Sequence, residues 1–291
     1  MTNNIRIIPR LDIKGPNLVK GIHLEGLRVL GKPEEFARYY YENGADELVY
    51  MDVVASLYER NSLHDIITKT AREIFIPLTV GGGLRTLDDI TQVLRAGADK
   101  VSLNTAAIRN PEIITQASQK FGSSTIVIAI EAIKQNDGGY LAYTDNAREH
   151  TGLDVFEWAQ RVEELGAGEI MITSVDQEGT GEGFDLELTQ KIANLVSIPV
   201  IAHGGAGKRE DVAKIATEGN VNAVALASIL HYDYIKYLIE HPKNEQEGNT
   251  EFLKSGKAFT KIQSSSLPDI KKHLLDHHIN CRPISHEITH R

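Results

Sequence analysis

The sequence predicts an α/β fold, a closed (β/α)8 TIM barrel with two-fold half-barrel pseudosymmetry, and three observations carry that prediction. Eight short apolar runs alternate with amphipathic runs along the 291 residues. Alternating strands and helices build a parallel sheet covered by helices, and eight such units is the number that closes. The chain also repeats itself. GADELVYMD (44–52) resembles GAGEIMITS (166–174) and IPLTVGGG (76–83) resembles IPVIAHGG (198–205), with 166 − 44 = 198 − 76 = 122. RAGADKVSLNTA (95–106) matches TEGNVNAVALAS (217–228) with one residue inserted. Two matching halves of four units make a pseudosymmetric barrel. An open doubly wound sheet is the competing fold, and it seldom repeats internally in this way.

Taken in order, the expected strands are IRIIPRLDI (5–13), ELVYMDVVA (47–55), PLTVGG (77–82), KVSLNT (100–105), TIVIAIEAI (125–133), EIMITSVD (169–176), PVIAHGG (199–205) and AVALAS (223–228). Each is a short β-branched or aliphatic run, as a buried parallel strand should be. Between them lie helical patterns: KPEEFARYYYENG, SLHDIITKTAREI, TLDDITQVLRAG, NPEIITQASQKFG, LDVFEWAQRVEELG, DLELTQKIANLV and REDVAKIATEG. Many of these end on glycine, the residue that most easily takes the left-handed conformation of a helix C-cap. The reading is of one barrel domain over 1–291. A polar insertion, HPKNEQEGNTEFLKSGKAFTKIQSSS (241–266), stands between ASILHYDYIKYLIE and a final helix, LPDIKKHLLDHHINCRPI. That insertion reads as a loop at the mouth of the barrel or as a segment with no role.

Composition bounds the function. A hydrophobic content of 41% and a charged content of 24% are ordinary for a globular chain. The net charge of −9 with no basic stripe argues against a general nucleic-acid binder. One cysteine, Cys281, excludes an intramolecular disulfide and suits a cytoplasmic protein. There is no signal-peptide pattern and no apolar stretch long enough for a membrane span. The eleven histidines are scattered without metal-ligand spacing, so neither a metal nor a cofactor is expected. His277–His278 read as surface residues of the final helix, and Cys281 reads as inert.

Chemistry concentrates at strand ends. Glu131 interrupts the apolar run IVIAIEAIK, where a carboxylate is costly unless it is paired or used. Asp12 lies 131 − 12 = 119 residues earlier, at roughly the equivalent place in the first half. In a barrel the first and fifth strands face each other across the mouth, and two opposed acids there suit general acid/base work. The alternative is that each acid caps a neighbouring helix or pairs with a lysine. TVGGGLR (79–85) and IAHGGAGK (201–208) each place glycines after a strand and before a helix, where backbone N–H groups can crowd around an anion. Asn104–Thr105 and Ala227–Ser228 end the next strand in each half. Together they suggest two phosphate sites on opposite sides of one mouth, hence a ligand phosphorylated at both ends. Plain turn glycines are the alternative.

These motifs, with IIPRLDIK…LVKG, TGLD..EWA..VEELGAGEI, DLELT and ASI.H, resemble the cyclase subunit of imidazole glycerol phosphate synthase. The resemblance runs to about residue 240 and resumes in the last helix. It implies a TIM-barrel lyase-type synthase subunit. Ammonia from a glutaminase subunit docked on the barrel floor would cross the barrel to a doubly phosphorylated ribulosyl substrate. By motif, Asp12 and Glu131 fall on the two catalytic acids, and Lys20, Asp52 and Asp176 on polar residues around the substrate. Gly83, Asn104 and Thr105 match one phosphate site, while Gly179, Gly205, Ala227 and Ser228 match the other. Arg6, Glu47, Lys100 and Glu169 match a ring of charges at the ammonia entrance, with Asp99 on the glutaminase-facing surface beside it. Without the resemblance such a ring could equally be a stabilising layer.

The departures all lie at the mouth. Arg10 stands where the family usually has Cys, Glu131 where it has Asp, and His203 where the second phosphate loop has Ser. After the sixth strand the chain reads Asp176-Gln177-Glu178-Gly179 in place of D-x-D-G. YTDNAREHTG replaces a more Gly/Lys-rich segment after the fifth strand. An extra methylene moves a carboxylate by more than about 1 Å, enough to cost about a hundredfold in rate. A floor that keeps the resembling family's signature under a changed mouth suggests retained ammonia delivery and a changed acceptor. The expectation is therefore the paralogue that supplies ammonia for acetamidino modification of sugars in surface-polysaccharide (lipopolysaccharide) biosynthesis, working with a third, sugar-modifying amidotransferase. The alternatives are the histidine-pathway cyclase itself and a non-catalytic ammonia conduit.

Overall fold

In the computed structural model, residues 4–54, 63–241 and 261–284 are described. Eight strands run parallel: β1 (Arg6–Lys14), β4 (Leu48–Asp52), β5 (Leu78–Gly81), β6 (Lys100–Leu103), β7 (Ile126–Lys134), β10 (Glu169–Ser174), β11 (Val200–His203) and β12 (Ala223–Leu226). They pair in the order β10-β11-β12-β1-β4-β5-β6-β7, and a further parallel pairing of β7 with β10 closes the ring. The structure is thus the (β/α)8 barrel that the alternation and the repeat predict.

Side-chain direction alternates along each strand, so one set fills the lumen and the other packs the helices. On β1, Ile7, Leu11 and Ile13 join the outer core, while Ile8 joins an inner cluster with Val49, Met51, Val127, Ala129, Met171, Ile201, Ala223 and Ala225. The helices over this barrel are α1 (Pro33–Glu42), α2 (His64–Ala71), α3 (Leu87–Ala96), α4 (Thr105–Arg109), α5 (Glu112–Phe121), α6 (Val155–Glu164), α7 (Leu186–Leu195), α8 (Arg209–Glu218), α9 (Ser228–Glu240) and α10 (Leu267–Asp276). Their starts follow local rules. Thr86 and Asp89 form a reciprocal capping box on α3, and Asp154, Asp185 and Ser266 cap α6, α7 and α10 through their side chains. Each inward Ile or Leu on these helices contributes about 1.5–3 kcal/mol by burial.

Three elements depart from the sequence reading. Residues after the first and fifth barrel strands form antiparallel hairpins, β2 (Asn17–Ile22) with β3 (Glu25–Gly31), and β8 (Tyr140–Thr144) with β9 (Glu149–Asp154). These are short and, for β3 and β9, mostly exposed, so no buried face imposes a pattern on the sequence. The ASILHYDYIKYLIE stretch, read as strand and loop, is the thirteen-residue helix α9. Its aromatic and β-branched residues disfavour helix locally, and packing of Ile229, Leu230, Tyr234 and Ile235 overrides that preference. Within the expected insertion, residues 242–260 lie outside the described residues.

Candidate active site

Strand register tests the symmetry that the sequence suggested. Asp12 pairs with Met51 and Glu131 pairs with Thr173, and 173 − 51 = 122, the offset of the repeat. The two acids therefore occupy equivalent positions on opposite strands, both pointing inward near the top of the barrel. Their surroundings are not equivalent. Arg10 Nε donates to Asp12 Oδ1 at 2.9 Å, and Arg10 Nη1 donates to Thr173 Oγ1 at 3.3 Å and to His203 Nδ1 at 3.1 Å. Burial, reinforced by the Arg10 and Lys20 charges, pushes the His203 pKa well down, so its neutral ring can accept from Arg10.

Glu131 takes no such cation contact. Burial pushes its pKa up to about 7, against the N–H of Ala147 and the Arg10 charge, which both favour the carboxylate. Ala147 N donates to Glu131 Oε2 at 2.7 Å from the tip of the β8–β9 hairpin. That tip runs through three left-handed non-glycine residues, Asp145, Asn146 and Ala147, at φ of 53°, 62° and 62°. Backbone strain of this kind persists only where surrounding contacts hold it. Here Thr105 Oγ1 accepts from Asp145 N, and Asn146 Nδ2 reaches Leu24 O in the β2–β3 hairpin at 2.8 Å. The two hairpins meet over the mouth.

The glycine loops are backbone-symmetric. Gly82 and Gly204 both have φ of +97°, and a Cβ on either would meet a backbone oxygen, Asp52 O at 2.2 Å or Ser174 O at 2.7 Å. Asn104 and Ala227 share an unusual backbone as well, at φ/ψ of −131°/−87° and −124°/−86°. The room beside them differs. On the first side a cavity of about 210 Å³ opens between Asp52, Gly83, Asn104, Thr105, Arg10 and Glu131. On the second side Gly179, Gly205, Ala227 and Ser228 line a recess of about 20 Å³. Inside the larger cavity, Ser102 Oγ and Asn104 Oδ1 are buried without a hydrogen-bond partner among the described residues. Buried polar atoms of that kind are costly unless a ligand or water serves them.

The remaining substrate-side residues from the sequence reading are placed as follows. Lys20 is buried, and its ammonium donates to Glu178 and to Gly21 O. Glu178 also accepts from Leu24 N at 2.9 Å, so this pair holds the first hairpin rather than standing open in the mouth. Asp52 Oδ1 accepts from Val54 N, and Asp176 Oδ2 accepts from Lys134 N at 2.8 Å, both at strand ends. Thr173 and Asn146 were not singled out as site residues, since a lone threonine or asparagine carries no spacing signal, and Glu178 stood out only as a departure from D-x-D-G. Cys281 is buried against Lys271 O, and burial pushes its thiol pKa up, in line with an inert residue.

At the opposite end, Arg6, Glu47, Lys100 and Glu169 close a four-membered ring of alternating charge. Arg6 pairs with Glu47 at 2.6 Å and with Glu169, and Lys100 pairs with Glu47 at 3.0 Å and Glu169 at 3.2 Å. Burial alone would lower the Arg6 pKa, but Glu169 and Glu47 outweigh it and raise it. Below the ring a hollow of about 420 Å³, lined by Asn4, Arg6, Lys100, Ser124, Glu169 and Asn222 among others, faces outward. Asp99 is exposed beside it and accepts from Leu78 N. Floor ring, apolar lumen and polar mouth lie along one axis.

Comparison with known proteins follows this geometry. Residues 6–236 match the family described as "Histidine biosynthesis protein". A relative from Legionella pneumophila is 59% identical over 209 residues, covering 72% of this chain and 99% of the relative. One from Alkaliphilus metalliredigens is 48% identical over 230 residues, covering 79% and 91%. One from Prochlorococcus marinus (strain AS9601) is 50% identical over 229 residues, covering 78% and 90%. All three are named imidazole glycerol phosphate synthase subunit HisF. The expected acetamidino-sugar branch finds no support in these names, which favour the histidine-pathway alternative. With a family match across most of its length and relatives near half identity or above, the chain belongs to the histidine biosynthesis protein family.

Proposed function

We propose that this chain is the cyclase-type synthase subunit of a glutamine-dependent imidazole glycerol phosphate synthase. It uses ammonia released by a glutaminase subunit docked on the barrel floor and works in the cytoplasm as a single barrel domain. The observation that carries this reading is the closed charge ring of Arg6, Glu47, Lys100 and Glu169. It lies at the end of the lumen opposite the two acids, where a stabilising layer alone would not need an outward hollow beneath it. Ammonia would pass the ring, cross the lumen lined by Ala129, Ala223, Ala225 and their apolar neighbours, and reach a phosphorylated ribulosyl ligand at the mouth. The Gly83, Asn104 and Thr105 side would grip one phosphate, and Gly179, Gly205, Ala227 and Ser228 the other. Glu131 and Asp12 would flank the reacting carbon, with Lys20, Asp52 and Asp176 shaping the walls.

A second reading keeps the floor and changes the acceptor, so that ammonia serves acetamidino modification of a sugar with a third amidotransferase. Its ground is the changed mouth, with Arg10 and His203 where the resembling family usually has Cys and Ser. Co-purification with a glutaminase subunit, followed by a glutamine-dependent assay, separates the two. Glutamine turnover stimulated by the ribulosyl substrate supports the first reading. Stimulation only by a nucleotide-linked acetamido sugar and the third protein supports the second, and failure to bind any glutaminase contradicts both.

A further inference from the structure

Arg10 is buried, yet it lines the mouth cavity together with Glu131, and it pairs with the buried Asp12. A guanidinium has five N–H donors in a planar fork. One goes from Nε to Asp12, and the two on Nη1 face Thr173 and His203. That leaves the two donors on Nη2 without a protein acceptor among the described residues. Asp12, Thr173 and His203 engage the other donors, so the Nη2 side is the one left for the cavity that Arg10 lines. Its charge is balanced by one carboxylate at 2.9 Å, and the neutral His203 adds an acceptor without adding charge. Preorganised donors of this sort, aimed at a place where negative charge develops and shielded from water, are what stabilise an oxyanion.

We propose that Arg10 is a catalytic residue of the ammonia-addition step, its Nη2 donors stabilising the oxyanion that forms when ammonia attacks a carbonyl carbon of the ligand; this rests on the ammonia-using reading above. The lone pair of ammonia forms the C–N bond, and the carbonyl π pair moves onto oxygen, in front of Arg10. A proton passes from the added nitrogen to that oxygen through Glu131. A second proton transfer by the same group releases water and leaves the C=N bond, so that carbonyl plus ammonia gives imine plus water with no change of oxidation state. The class of acceptor is thereby named: a carbonyl compound whose reacting carbon sits between Arg10 and Glu131. Asp12, at 2.9 Å from Arg10 Nε, is then also the counter-ion that positions Arg10.

The test uses the full chain with ammonium chloride as nitrogen donor and the ribulosyl substrate as acceptor. Arg10→Ala should lower kcat by about 10²–10³-fold, the loss typical of one oxyanion donor, while KM stays within about threefold because the phosphate grip is untouched. Guanidinium ion at millimolar concentration should restore part of the lost turnover, which a merely structural role would not allow. If Arg10→Ala does not fold, Arg10→Ala/Asp12→Asn measured against Asp12→Asn gives the same comparison without an unpaired buried charge. A parallel arm needs no turnover: acetate, as an oxyanion mimic, should show saturation-transfer NMR contact with the wild type and lose it in the variant. Turnover within about threefold of the reference, loss of turnover that guanidinium does not restore, or equal acetate binding by both proteins contradicts the assignment. An unmodified chain that binds acetate through Arg10 but turns over no ribulosyl substrate contradicts the functional reading and leaves the oxyanion site standing.

Discussion

Glu131 and Asp12 share a position and differ in their neighbours. Asp12 has a guanidinium at 2.9 Å, whereas Glu131 is buried with one backbone donor and has its pKa pushed up from 4.5 to about 7. An acid whose pKa is higher folded than unfolded holds its proton more tightly in the fold, so stability falls as pH rises from about 4.5 to about 7. The loss is on the order of 3 kcal/mol. Glu131→Gln should therefore melt higher than wild type at pH 8.5, with the gap shrinking toward pH 4.5, as paired thermal melts would show, and it should lose turnover. Lys20 and Glu178 make the opposite case. Lys20→Met strands Glu178 in the interior and should cost about 3–5 kcal/mol, while Lys20→Met with Glu178→Met should recover most of that in urea melts. The acids and the glycines were legible in the sequence because each breaks a local pattern: a charge in an apolar strand, or glycines where a helix is about to start. Arg10 was legible only as an oddity. Its meaning depends on Thr173 and His203, more than 160 residues away in the chain.

At the level of elements, the eight strands were readable because a parallel strand buried on both faces is an apolar run whatever its neighbours. The hairpins were not, since they stand on β1 and β7 through antiparallel pairing and touch each other over the mouth, contacts that leave no local pattern in the sequence. Asn146 supplies that meeting through its bond to Leu24 O and tolerates the left-handed backbone that its position requires. Asn146→Gly keeps the backbone freedom and deletes the bond. It should cost about 1 kcal/mol and speed amide hydrogen exchange in Tyr140–Asp154 and around Leu24, with little change in the barrel strands. Unchanged exchange at Leu24 would show that the hairpins do not hold each other. The same geometry explains why a hairpin whose tip bonds Glu131 also closes the cavity that Glu131 lines.

The whole molecule is a tube with two chemically distinct ends, and its internal repeat is visible from sequence to register to loop backbone. The repeat could not show that the two sides of the mouth would diverge to cavities of about 210 Å³ and 20 Å³, because volume depends on which side chains meet. Nor does pattern alone separate a channel entrance from a stabilising layer. Lys100→Met draws that line. It should lower glutamine-driven turnover by about tenfold in the reconstituted pair while ammonium-driven turnover stays within about threefold, the signature of impaired delivery with intact chemistry. Equal loss in both assays would make the ring structural. The central claim, that this barrel makes imidazole glycerol phosphate from channelled ammonia, is tested most directly by complementation. Expressed with a glutaminase subunit in a strain lacking only the cyclase, the chain should restore growth without histidine. Folded, abundant protein that leaves the strain dependent on histidine would contradict it.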